Sequence, residues 1–135
     1  MNLGIVDLGG PYFVAKLDPA STDRELICAQ SYDGDFVSIC TTSDEISIVC
    51  LQSKQNAELL TGKADIESGW SLIRVDGQLE FEMVGVIAKF SSILADARIP
   101  LFCLSTFDTD YILVKESNKK AAIEVLAQQG ITLVN

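Results

Sequence analysis

The sequence predicts an α+β fold of two ferredoxin-like β-α-β-β-α-β units packed side by side, the first one shortened. Three observations predict it. Residues 36–50, Phe36-Val-Ser-Ile-Cys-Thr-Thr-Ser-Asp-Glu-Ile-Ser-Ile-Val-Cys50, align without a gap on residues 101–115, Leu101-Phe-Cys-Leu-Ser-Thr-Phe-Asp-Thr-Asp-Tyr-Ile-Leu-Val-Lys115, at an offset of 65. Each stretch reads as an apolar strand, a short polar turn and a second apolar strand. Upstream, Tyr12-Phe-Val-Ala-Lys-Leu-Asp18 echoes Trp70-Ser-Leu-Ile-Arg-Val-Asp76 at an offset of 58. The third observation is one strongly periodic helix after the second of these strands. An internal repeat turns a chain of 135 residues into two similar units. The expected division is a divergent, shortened unit with its linker over residues 1–66 and a fuller unit over residues 67–135. A half-chain of this size has a marginal core, so the two halves should share a layer.

Gly9-Gly10-Pro11 punctuates the start, and residues 12–17 read as a strand. Asp18-Pro19 opens a short helix with Ser21 or Thr22 as its cap. Asp33-Gly34-Asp35 is a turn signal, followed by a hairpin of residues 36–41 and 46–51. Residues 52–68 are polar and mixed, with one helical turn at residues 56–60, and read as a link. Residues 70–75 open the second unit as a strand. Met83, Ile87, Phe90, Leu94 and Ala97 form one apolar stripe, which predicts a helix over residues 82–97. Glu80 and Glu82 suit its N-terminus, Arg98 suits its end, and Pro100 prevents continuation. The second hairpin takes residues 101–106 and 111–115. Ser117 should cap a last helix through Gln129 that turns Ile123, Leu126 and Ala127 inward, with Gly130 as stop. Residues 131–134 close as a short strand. The connection between the first two strands is seven residues shorter in the first unit, so its helix should be about two turns shorter.

The net charge of −9 repels phosphate backbones, which argues against nucleic acid and anionic membranes as partners. No apolar run reaches the ~20 residues that span a bilayer. There is no histidine, which removes the commonest general base and metal ligand. Cys28, Cys40, Cys50 and Cys103 form no C-x-x-C pair, and most sit in apolar patterns, as small buried hydrophobes do. Free thiols and an N-terminus without a basic stretch before its apolar residues predict a cytoplasmic protein. No cofactor, metal site or catalytic constellation is expected, so an enzyme is not the reading.

Two segments carry the candidate chemistry. Asp76, Gly77, Gln78 and Leu79 follow a strand and precede the long helix, where free N–H groups suit a small carboxylate. A simple turn explains the same residues. Ser105, Thr106, Phe107, Asp108, Thr109 and Asp110 place two acids, three hydroxyls and an aromatic ring at a strand end. Two carboxylates there suit a ligand ammonium. Asp and Thr are also ordinary hairpin residues, and the set is too small for a calcium loop. Trp70 reads as a packing anchor.

The run Gly69-Trp70-Ser-Leu-Ile-Arg74-Val, then Gly77, then Val84-Gly85-Val-Ile, then Ile99-Pro-Leu-Phe102, then Ser105-Thr-Phe-Asp-Thr-Asp-Tyr-Ile-Leu-Val114 resembles the ACT domain. More narrowly, it is similar to small bacterial tandem-ACT proteins related to the CASTOR arginine sensors and to aspartate kinase regulatory regions. The resemblance covers residues 69–134 well and residues 10–66 weakly. It implies βαββαβ units, a homodimer, and a regulatory module that binds a free amino acid through Asp76 to Leu79 and Ser105 to Asp110. An acidic site favours Lys or Arg as the ligand. The alternative is a structural or protein-partner module that has lost ligand binding.

Overall fold

The computed structural model describes residues 3–76 and 84–135. Its elements run β1 (Gly4–Leu17), α1 (Arg24–Ala29), β2 (Val37–Thr41), β3 (Ile46–Leu51), α2 (Lys54–Leu60), β4 (Ala64–Asp76), α3 (Val86–Asp96), β5 (Phe102–Ser105), β6 (Asp110–Lys115), a 3-10 turn (Glu116–Asn118), α4 (Lys119–Gln128) and β7 (Thr132–Leu133). The class is α+β, as the strand and helix order predicts. The chain divides into two compact units, one of Gly10–Trp70 and one that gathers the chain up to Gly9 with Ser71–Asn135. The two long strands β1 and β4 each contribute to both units.

The first unit follows β-α-β-β-α-β, with strand order β2-β3-β1-β4. Its hairpin pairs Val37 with Cys50 through Thr41 with Ile46, and β1 pairs with β3 from Tyr12 on Leu51 to Leu17 on Ile46. Alternate residues Phe13, Ala15 and Leu17 meet Ile46, Ile48, Cys50, Ile27 and Leu60 in one core. The structure departs from the sequence pattern at four points. The strand begins at Gly4 and runs through Gly9-Gly10-Pro11, because Gly9 adopts φ +78° and lets the strand bend without breaking. The cap of α1 is Asp23, whose Oδ1 accepts from the Leu26 N–H at 3.1 Å, and not Ser21 or Thr22. Residues 52–68 hold α2 and the first part of β4, which supply the helix and strand that complete the unit. Of the cysteines only Cys50 is buried; Cys28, Cys40 and Cys103 are exposed. Cys40 and Cys103 lie on the edge strands β2 and β5, which have a neighbouring strand on one side only.

The second unit has strand order β1-β4-β6-β5, with β7 parallel to β1 through Gly4 on Thr132 and Ile5 on Leu133. Its core joins Leu3, Ile5, Ile73, Val75, Phe90, Leu94, Ile112, Val114 and Leu126. The stripe of α3 is inward at Phe90 and Leu94, as its periodicity requires, but Val86 rather than Ile87 is buried in the first turn, and Ala97 caps the helix end and is exposed. The helix begins at Val86 after Gly85, while the expected start at residues 82–83 lies outside the described residues. Ser117 sits in the 3-10 turn and does not cap α4, whose N-cap is Asn118 without a side-chain bond. Ala122 is buried on α4 and Ala127 is exposed, so that helix is rotated from its expected face. The helix α1 has six residues against eleven in α3, in line with the shorter first connection.

The two hairpins correspond one position differently from the gapless alignment. Thr41 pairs with Ile46 at the end of one ladder, and Ser105 pairs with Asp110 at the end of the other. That sets an offset of 64, which places Ile48 on Ile112 and Cys50 on Val114, all core residues. An offset of 65 would match side chains on opposite faces of their strands.

Candidate functional site

The second unit's polar turn follows directly from the hairpin register. Beyond the Ser105–Asp110 pair, the Thr106 N–H donates to the Thr109 carbonyl at 2.9 Å, and the Thr106 hydroxyl donates to the same oxygen at 3.1 Å. The Ser105 hydroxyl donates to Asp110 Oδ1 at 2.5 Å, a short charge-assisted bond that orients the carboxylate. Thr109 is buried, and its hydroxyl donates to the Val75 carbonyl at 2.9 Å. That bond ties the turn to the last turn-proximal residues of β4 and so brings it beside the half-buried Asp76. Phe107 stands 76% exposed at the tip, with Ser105, Thr106 and Asp108 exposed around it. Gly77, Gln78 and Leu79 lie outside the described residues. Cys103, two residues before Ser105, reaches the surface. Partial burial pushes its thiol above its ordinary pKa, and the negative charge of Asp110 adds to the shift.

The first unit closes its turn the same way, with the Thr42 N–H donating to the Glu45 carbonyl at 2.9 Å. The Thr42 hydroxyl oxygen also accepts from the Asp44 and Glu45 N–H groups at 3.1 and 3.0 Å. Beside this turn, Lys16, Asp18, Asp44, Lys63 and Asp65 surround an open cleft of about 300 Å³. Asp18 corresponds to Asp76 at an offset of 58, and Asp44 to Asp108 at 64.

A larger cleft of about 480 Å³ lies between α1 and α2. Leu26, Ile27 and Leu59 give it an apolar lining, and Asp23, Glu58 and Lys63 give it charge. Sequence reasoning missed this cleft. Its one legible trace is the short connection that makes α1 short. Among the described residues, no three His, Cys, Asp or Glu side chains stand close enough to hold a metal ion. No described helix is long and apolar enough to cross a membrane.

Comparison with known proteins gives three findings. The ACT domain family model matches residues 65–128, and a second model, that of an N-terminal domain, matches residues 10–55. The human protein named cytosolic arginine sensor for mTORC1 subunit 1 is 35% identical over 102 residues, covering 71% of this chain and 31% of its own length. The mouse protein of that name is 33% identical over 120 residues, or 88% of this chain and 34% of its own length. The chain thus spans about a third of these curated relatives. Among solved structures, Atu0741 from Agobacterium tumefaciens matches at a TM-score of 0.80 and 30% identity, over 99% of this chain and 93% of that one. The regulatory subunit of aspartate kinase from Thermus thermophilus matches at a TM-score of 0.65 and 11% identity, over 93% of this chain and 96% of that one, a likeness of fold alone.

Proposed function

We propose, from the premise that this chain belongs to one family with Atu0741 and matches the ACT domain over residues 65–128, that it is a regulatory module that binds a free amino acid. The observation that supports this reading is the Thr109–Val75 bond, which ties the turn that carries Asp108 and Asp110 to the end of β4, one residue before Asp76. The ligand's ammonium, or a cationic side chain, meets Asp108 or Asp110. Its carboxylate meets the segment Gly77, Gln78 and Leu79. Arginine and lysine are the favoured ligands, because the site is acidic and the curated relatives are named arginine sensors. The two units are read as tandem ACT units, the protein as a cytoplasmic homodimer without catalytic activity of its own.

The test is a thermal-shift screen against the free amino acids. A ligand that binds only the folded chain adds about 2.7 kcal/mol of stability at a hundredfold excess over Kd. A selective rise with arginine or lysine supports the reading, and Asp110→Asn should abolish it. Thr109→Val keeps the shape and loses the hydroxyl. It should cost about 1 kcal/mol of stability by urea denaturation and weaken ligand binding. A flat response across all amino acids by the folded protein would favour a protein-partner module, the reading that exposed Phe107 supports.

A further inference from the structure

We infer that the cleft between α1 and α2 is a second small-molecule site, for a zwitterion with an apolar side chain such as phenylalanine or leucine. The site stands in the first unit, on the helix side, and shares no residue with the turn at residues 105–110. Its origin is physical. In the second unit the eleven-residue α3 packs along α4. In the first unit α1 stops after six residues, and the space between α1 and α2 stays open at about 480 Å³. That volume lies within the ~300–1,000 Å³ range of ligand pockets.

The chemistry of the walls selects the ligand. Ile27 is buried at the base, Leu59 is half-buried, and Leu26 is 58% exposed, an apolar side chain that water would otherwise face. Together they seat an aliphatic or aromatic side chain. Glu58 on α2 accepts an ammonium, and Lys63 just past that helix meets a carboxylate. Asp23 Oδ1 is occupied by the Leu26 N–H, and the Gln30 amide donates to the Leu26 carbonyl at 3.1 Å, so these two side chains mainly hold α1 in place. The turn at residues 105–110 carries two acids and no aliphatic side chain, so the two sites differ in preference.

The test is calorimetric titration of the full chain with phenylalanine, leucine and arginine. Phenylalanine and leucine should bind the natural chain. Leu26→Trp should fill the cleft and weaken phenylalanine by about tenfold or more while the response to arginine stays unchanged. Leu26 is largely exposed, so this replacement leaves the fold intact, which circular dichroism would verify. Glu58→Gln should weaken phenylalanine in the same way. The inference fails if phenylalanine and leucine do not bind the natural chain, or if they bind Leu26→Trp as well as the natural chain. Loss of arginine binding alone, with phenylalanine retained, would sink the second-unit reading and leave this one standing.

Discussion

Cys50 is fully buried in the first unit's core, and burial pushes its thiol pKa up from 9.0 to about 11. Tyr32 beside it is pushed up to about 12, first by burial and then by the Cys50 and Cys28 charges. A raised acid pKa means that the unfolded chain loses its proton first. Stability is therefore full below about pH 9, falls as pH rises from 9 to 11, and falls further as tyrosine titrates. The Cys50 part is on the order of 2 kcal/mol. Urea denaturation at pH 8 to 11 should show this decline, and Cys50→Ala, though less stable at pH 8, should show a shallower slope between pH 9 and 10, with the raised Cys103 thiol still contributing. Thiol labelling of the native chain should reach Cys28 and Cys40 first and Cys50 last. The sequence places most of the cysteines inside by their apolar neighbours. Local pattern cannot tell an edge strand from a central one, and that is why Cys40 and Cys103 were misplaced. The turn residues were legible, since Asp, Thr and Ser at a strand end have few other uses. The bond from Thr109 to Val75 spans 34 positions and leaves no local mark.

At the scale of elements, α2 shows how a single polar side chain fixes a helix that periodicity reveals only faintly. Asn56 is fully buried, yet every polar atom of its amide is engaged. Its Oδ1 accepts from the Asp33 N–H at 2.8 Å, and its Nδ2 donates to the Leu51 and Asp33 carbonyls at 2.8 and 3.2 Å. The Ser53 hydroxyl caps the same helix by accepting from the Asn56 N–H at 3.1 Å. Asn56→Ala strands the Asp33 and Leu51 groups and should cost about 2–4 kcal/mol, measured by urea denaturation. A loss below 1 kcal/mol would show that water replaces the amide. This helix looked like a link because its residues are mostly polar and only Asn56 and Leu60 are fully buried, with Ala57 and Leu59 packed partly against the core. By contrast α3, with a continuous apolar stripe, was plain from its spacing. The hairpins were found, but their register was off by one. Gapless similarity weighs residue type, whereas the ladder obeys which face is buried.

For the whole molecule, the division into two units was visible because the strand and hairpin pattern recurs along the sequence. The exchange of strand segments between units was not. Gly9-Gly10-Pro11 looks like an end and is a passage, as is Gly69, which has φ +79° inside β4. Leu3 and Ile5 belong to the core of the second unit although more than sixty residues separate them from the rest of it. A fragment of residues 71–135 therefore lacks the strand between β4 and β7, and it should show no cooperative thermal transition by circular dichroism. A sharp transition in that fragment would contradict this account. The same placement orders events during synthesis. All strands and helices of the first unit exist once residue 70 has left the ribosome, so it can close while translation continues. Residues 4 and 5 stay without their outer neighbour until residues 132 and 133 arrive, so the second unit closes only after the whole span between its two pieces has been made.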